Sequence, residues 1–312
     1  MSKKVYASTI LIIALFVVNF VLLFKNSRDN FTISYSFEEV GDIRERAYIL
    51  PISAPNYIPI LDSNISRPSV SAKSAIVYDT SSSRFLYDKN TEMKLPIASL
   101  TKIITAVAVL ENMSLDDIVT IAEDSMGVDG EKQDLYLGEK ISIRNLLKLL
   151  LIESSNDAAY ALANHAKKQG IDFIGAMNIK AGALGMRDTV FNDPAGLNDS
   201  AYSTARDLVK LVEYSLVYQE IWDISSEKTA IVESSDERIK HSITSTNRLL
   251  GMIKDIIGGK TGFTDGALQC MILVTGVPDY PGKLISIVLG SQDRFGDTQK
   301  LIEWTRRAYR WK

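Results

Sequence analysis

The sequence is poor in the side chains that hold transition metals. Its 312 residues include one cysteine, Cys270, and two histidines, His165 and His241. A single thiol excludes an internal disulfide framework, and neither a Cys-x-x-Cys pair nor a His-Glu-x-x-His run occurs, so no metal and no cofactor is expected. A Ser-His-Asp triad is disfavoured for the same reason. His165 falls in an alanine-rich helical stretch and His241 in a polar approach to a strand, positions that suit structural or exposed roles. An excess of positive charge is missing as well. With 35 Lys and Arg against 38 Asp and Glu, a net charge of -3, the chain has no basic field for a nucleic-acid partner. Internal repeats and low-complexity tracts are also absent.

What is present begins with a long apolar run, Val5 to Phe24, interrupted only by Ser8, Thr9 and Asn19 as clearly polar residues. About 20 residues at a rise of 1.5 Å cross a hydrocarbon core of roughly 30 Å. A cleavable leader would show a shorter apolar core and a small-residue site, and Leu22-Leu23-Phe24-Lys25-Asn26 offers none. The reading is an uncleaved transmembrane helix over residues 5–24 behind a tail of residues 1–4, with a long leader cut at an unrecognised site as the alternative. Flanking charge leaves the orientation open, because Lys3 and Lys4 are balanced by Lys25 and Arg28. Residues 25–71 carry Pro51, Pro55, Pro59 and Pro68 and no sustained period beyond a short strand near Thr32–Phe37. They read as a linker able to reach on the order of 100 Å if extended.

From residue 72 the pattern is globular. Strand-like runs Ser74–Asp79 and Arg84–Tyr87 flank a turn, Thr80-Ser81-Ser82-Ser83. An apolar helix around Pro96–Leu110 follows, then helical patterns over Ile141–Ile152, Asn156–Lys167, Ile171–Leu184 and Thr204–Val217. Strand character returns at Thr229–Glu233, Leu268–Gly276 and Leu284–Gly290, and a helix over Phe295–Arg310 closes the chain. This order predicts an α/β body over residues 72–312 with an all-helical insertion, about 113–226, and with the two ends of the segment sharing one sheet.

Three stretches carry candidate chemistry. In the apolar helix, Ser99 and Lys102 stand three residues apart on one face of the first turn. Ser-x-x-Lys is common by chance, and Ser225-Ser226-Glu227-Lys228 repeats it in a polar, turn-like setting. The Ser99 pair differs because its helix is apolar almost all round, so burial and the positive helix end both favour a neutral Lys102 amine. Such an amine can take the proton of an attacking Ser99 hydroxyl. The second stretch, Glu153-Ser154-Ser155-Asn156-Asp157, joins two helices, where Ser and Asn are ordinary caps. Its functional alternative is a proton relay at Ser154 and an amide-orienting Asn156. The third, Gly258-Gly259-Lys260-Thr261-Gly262-Phe263-Thr264, reads either as a Gly-rich turn with an exposed lysine or as an edge for docking an extended peptide. In the second case Lys260 and Thr261 would hold a carboxylate, Gly262 would permit close approach, and the Phe263 N–H would donate to an oxyanion.

In this order the stretches read Ser-x-x-Lys, Ser-x-Asn and Lys-Thr-Gly, and the chain resembles the penicillin-binding proteins and serine β-lactamases. Within them it is most similar to the low-molecular-mass D-alanyl-D-alanine carboxypeptidases. The likeness extends through Lys94-Leu95-Pro96-Ile97-Ala98-Ser99, Phe191-Asn192-Asp193-Pro194-Ala195-Gly196-Leu197, Tyr202–Leu208 and Lys260–Asp265. It implies an antiparallel sheet flanked by helices, an all-helical subdomain, and a site between them. It also implies a serine carboxypeptidase acting on peptidoglycan stem peptides outside the cytoplasmic membrane. Ser99 would be the nucleophile, Lys102 the base, Ser154 the relay and Asn156 the orienting amide; Lys260, Thr261, Gly262, Phe263 and Thr264 would bind substrate. β-Lactams would be covalent inhibitors, and the domain would be tethered to the membrane by the single N-terminal span. Two positions depart from the family pattern: Ser155 stands where Gly or Ala is usual, and Ala195 where His is frequent. A cross-link endopeptidase uses the same residues. A β-lactamase would need a water-activating glutamate, which Phe191–Asp199 lacks while offering Asp193 and Asp199. A non-catalytic wall-binding module would not require all three motifs.

Overall fold

The computed structural model describes residues 58–126 and 135–311. In chain order, the strands are β1 (Pro59–Leu61), β2 (Ser74–Asp79), β3 (Arg84–Lys89), β4 (Ile118–Thr120) and β5 (Lys140–Ser142). They continue with β6 (Thr229–Glu233), β7 (Lys240–Thr244), β8 (Ile256–Thr264), β9 (Leu268–Val277), β10 (Tyr280–Ser291) and β11 (Tyr309–Trp311). The α-helices are α1 (Lys102–Asn112), α2 (Ile143–Lys148), α3 (Asn156–Lys168), α4 (Phe173–Ala183), α5 (Ala205–Ser215), α6 (Gln219–Ser226) and α7 (Arg294–Ala308).

The main sheet is antiparallel with order β3-β2-β10-β9-β8, so both ends of the domain contribute to it, as the strand patterns predict. Its central strands are nearly continuous apolar runs because both faces are covered. Side chains alternate across the pleat. Ile76, Ile272, Val274, Ile285 and Ile287 enter the larger core with α1, α5 and α6. Their neighbours Val77, Met271, Leu273, Leu284 and Val288 enter a second core under Leu301, Ile302 and Trp304 of α7. Ile287 pairs with Ile76 on one side and Ile272 on the other, which fixes the register of the sheet centre.

The structure departs from the sequence reading in three places. Pro59–Leu61, within the expected linker, pair with Tyr309–Trp311, and Val70 and Ala72 are buried, so the packed domain starts well before residue 72. The terminal helix accordingly stops at Ala308 and passes into β11. Ile141–Ile152 is not one helix. Lys140–Ser142 pairs with Ile118–Thr120, Ser142 caps α2 by accepting from Asn145 N, and Leu149–Glu153 widens into a π turn. Of the two readings of Gly258–Thr264 the structure has the strand edge rather than the turn: the stretch is the body of the edge strand β8, with Gly262 opposite Cys270. The predicted membrane span, residues 5–24, and the strand near Thr32–Phe37 lie outside the described residues; among those described, no helix is long and apolar enough to cross a membrane.

The chain's entry into the domain is pinned by Asp297 on α7. One carboxylate oxygen accepts from Ser71 N at 3.0 Å, and the other from Ala72 N at 2.9 Å and the Ser71 and Ser291 hydroxyls at 2.7 Å. These bonds hold the carboxyl below its ordinary pKa against the opposing effect of burial. Asp297→Ala removes a charged acceptor and strands several donors, and is expected to cost about 2–4 kcal/mol of stability by denaturant titration. A loss under 0.5 kcal/mol, on the order of a surface change, would show that this attachment is dispensable.

Candidate active site

The site lies where the main sheet, the helical block and the 191–199 loop meet. Two non-glycine residues near it have left-handed backbone. Ala98, at φ 48°, opens a 3-10 turn, Ala98–Thr101, that presents Ser99 just before α1. Ser154, at φ 71°, ends the π turn and precedes α3. Each costs about 1–2 kcal/mol, a strain of the sort that concentrates where side chains must be aimed.

Lys102 is completely buried. Its Nζ lies 2.9 Å from Ser99 Oγ, 2.7 Å from Asn156 Oδ1 and 3.0 Å from the Ala195 carbonyl oxygen. Burial lowers its pKa to about 7, partly opposed by the charge of Asp193. A neutral amine has two N–H donors and one lone pair. The Asn156 and Ala195 oxygens can only accept, so they take the two donors and leave the lone pair for the Ser99 hydroxyl. This is the arrangement of a nucleophile and its base.

Ala195 is held by Asp193, whose carboxylate accepts from four successive backbone N–H groups, Ala195 to Asn198, at 2.5–3.1 Å. Thr105 on α1 donates to the Pro194 carbonyl at 2.7 Å. The loop therefore supplies a carbonyl to Lys102 whatever side chain residue 195 carries, so the missing histidine removes nothing from this contact. Ser155, the other departure from pattern, caps α3 by accepting from Ala158 N at 3.1 Å.

The second lysine, Lys260 on β8, is also fully buried rather than exposed. It donates to Ser154 Oγ at 2.7 Å and to the Thr261 carbonyl at 3.0 Å. Burial above all, then the nearby charges of Lys102 and Arg294, hold it well below its ordinary pKa. The Thr261 hydroxyl meets that of Thr246 at 2.6 Å.

Ser99, Ser154, Asn156, Thr261, Gly262 and Phe263 line a cleft of about 800 Å³, with the two lysines beneath its surface. Thr264 is not among the lining residues. Its hydroxyl donates to Asp199 at 2.6 Å and accepts from Ala267 N, joining the β8–β9 turn to the 191–199 loop. Sequence reasoning missed Thr246, Arg248 and Arg294, which also line the cleft. None belongs to a compact motif: Thr246 and Arg248 follow a hairpin, and Arg294 opens α7 beside its Asp293 cap. The decoy pair is resolved as well, since Ser225 turns inward to the Trp222 carbonyl at 3.2 Å.

A cleft-lining serine paired with a buried lysine and facing an edge strand of an antiparallel sheet defines a serine active-site protein with the penicillin-binding-protein-like fold. Residues 62–293 match the family described as D-alanyl-D-alanine carboxypeptidase, and the chain belongs to that family of serine-type peptidases. It is 34% identical over 239 residues to a D-alanyl-D-alanine endopeptidase of Pseudomonas aeruginosa, covering 74% of this chain and 76% of the relative. It is 32% identical over 264 residues to the D-alanyl-D-alanine carboxypeptidase DacC of Escherichia coli, covering 80% and 64%. Among solved structures, a penicillin-binding protein of Listeria monocytogenes in a cefotaxime-bound form superposes with a TM-score of 0.66 at 32% identity, over 77% of this chain and 99% of that one.

Gly262 sets the distance between β8 and the Ser99 turn. A Cβ there would lie 3.0 Å from both Ser99 N and the Ile97 carbonyl oxygen, and 3.2 Å from Ala98 Cβ. Gly262→Ala is therefore expected to push the strand off the nucleophile and slow acylation by a β-lactam by about 10²-fold, with little change in melting temperature. Acylation at the wild-type rate would mean the strand does not set the geometry at Ser99.

Proposed function

We propose that the chain is a serine D,D-carboxypeptidase that removes the terminal D-alanine from peptidoglycan stem peptides. The observation that carries this reading is the position of the Lys102 amine, 2.9 Å from Ser99 Oγ and held by the Asn156 and Ala195 oxygens, so that its neutral form has a lone pair left for Ser99. Ser99 Oγ attacks the carbonyl of the penultimate D-alanine and passes its proton to Lys102. The Ser99 and Phe263 N–H groups receive the oxyanion. The C–N bond then breaks, and the departing amine takes the proton that Lys102 received from Ser99, relayed by the Ser154 hydroxyl, which is held by Lys260. Water hydrolyses the Ser99 ester. Thr261 and Arg294, which line the cleft, bind the carboxylate of the leaving residue, with Lys260 beneath them bonded to the Thr261 carbonyl.

A second reading, cleavage of peptide cross-links by the same acylation, is favoured by the name and identity of the Pseudomonas aeruginosa relative. A fast β-lactamase is disfavoured because both carboxylates of the 191–199 loop are occupied, Asp193 by four amides and Asp199 by Thr264. The substrate class lies outside the cytoplasmic membrane, so we further propose that residues 5–24 anchor the domain there.

Labelling with a fluorescent penicillin tests the assignment. Wild type should form one covalent adduct and Ser99→Ala none; an adduct on the variant overturns it. Lys102→Ala should slow acylation by more than ~10²-fold. With the Lys102 pKa at about 7, the amine is the competent form above that pH and the ammonium predominates below it. Acylation should therefore fall about tenfold per pH unit on the acid side, and a rate flat from pH 5 to 8 would exclude Lys102 as the base.

A further inference from the structure

The accessible charge of the cleft exceeds what a terminal D-alanine can use. Four charged residues line it: Arg248, Arg294, Glu153 and Asp293. Asp293 is committed to capping α7, where it accepts from Gly296 N at 3.0 Å. Glu153 is 6% exposed and has partners of its own. Arg294 donates to the Gly262 carbonyl at 2.8 Å, which fixes its guanidinium beside the Lys-Thr-Gly strand. Arg248 differs. It is exposed and makes no hydrogen bond or ion pair among the described residues, and its guanidinium stands 5.7 Å from the Phe295 ring that Arg294 also approaches, at 4.9 Å.

The backbone under Arg248 is nevertheless fixed. Thr246 N donates to the Ile152 carbonyl at 3.1 Å, and buried Asn247 accepts from Leu249 N at 3.0 Å. Two residues before Arg248, the Thr246 hydroxyl meets that of Thr261, which faces the leaving residue in the proposed reaction. Arg248 is thus an unpaired cation on a firm support, lining the same cleft as Thr261 and Arg294, the groups proposed to take the single carboxylate.

We propose that Arg248 is a specificity residue for leaving groups that bring carboxylates in addition to the one next to the scissile bond. The acceptor stem of a peptide cross-link has this chemistry and free D-alanine does not. The inference rests on the proposed acyl-transfer site and sharpens its substrate class toward cross-linked peptide. An Arg presents a planar fork to carboxylate that Lys matches only as a point charge.

The test compares cleavage of a cross-linked stem-peptide dimer with release of D-alanine from the uncross-linked pentapeptide, in wild type, Arg248→Gln and Arg248→Lys. Arg248→Gln is expected to lower kcat/KM for the dimer about tenfold, mainly through KM, and to leave the pentapeptide within about twofold. Arg248→Lys should restore part of the loss, and raising salt should erode the wild-type preference but not that of Arg248→Gln. An unchanged dimer-to-pentapeptide ratio in Arg248→Gln, or an equal loss on both substrates, overturns the proposal. Penicillin labelling of the same proteins separates the two levels of inference. Labelling with an unaltered ratio rejects only the role of Arg248, whereas a wild type that neither labels nor cleaves rejects the acyl-transfer site as well.

Discussion

The architecture depends on keeping one lysine out of water. Lys102 begins the central helix, and its amine is satisfied by three oxygens from three separate parts of the chain: the nucleophile turn, the start of α3, and the loop that Asp193 organises. Withdrawing an ammonium from water costs several kcal/mol, which is why the pKa falls to about 7. That environment exists only if the sheet, the helical block and the 191–199 loop are docked at once. The same packing that makes the body cohesive is therefore what makes the amine basic at neutral pH.

Local backbone distortion serves that docking. A regular helix from Pro96 would carry Ser99 on with the helix axis; the left-handed Ala98 and the tight turn after it instead place the hydroxyl at the rim while Lys102 stays below. The π turn before Ser154 does the same for the second motif, since its looser winding and the left-handed Ser154 bring that hydroxyl to Lys260 while Asn156 starts a new helix facing Lys102. Glycine has a different use at the two closest approaches. At Gly196 a Cβ would collide with the Ala98 carbonyl, and at Gly262 it would crowd Ser99 N.

Much of this was legible in the sequence where periodicity and motif agreed. The buried strands, the apolar Ser99 helix and the three motifs needed only local pattern, and the structure brings Ser99, Lys102, Ser154, Asn156, Lys260 and Thr261 together. What was not legible depends on partners far along the chain. β1 is a strand only because β11 lies beside it, more than 240 residues away, and no pattern in Pro59–Leu61 reveals that. Gly258–Thr264 left a turn and a strand edge both open, and only pairing with β9 along its length decides for the edge. Arg248 and Arg294 reach the cleft through a hairpin exit and a helix start, and a lone arginine carries no local signal. The Asp193 cluster is intermediate: Asp-Pro marks a turn, but not that four amides would converge on one carboxylate.

The two buried lysines constrain each other, and this bears on how the proposed reaction divides its protons. The charge of Lys102 is one of the causes that depress Lys260, after burial itself. When Lys102 accepts the Ser99 proton it becomes cationic, and like-charge repulsion then favours a neutral Lys260 most strongly. Lys260, bonded to Ser154 at 2.7 Å, is placed to support a serine that moves a proton. In the proposed reaction, anion binding can also draw on groups whose charge does not depend on that cycle. Arginine keeps its proton throughout, so Arg294 holds its charge beside Gly262 and Arg248 holds its charge elsewhere in the cleft lining. Proton transfer in the proposed reaction thus rests on the buried amines and recognition on the guanidiniums of half-buried Arg294 and exposed Arg248, with the charge of Arg294 also helping to depress Lys260.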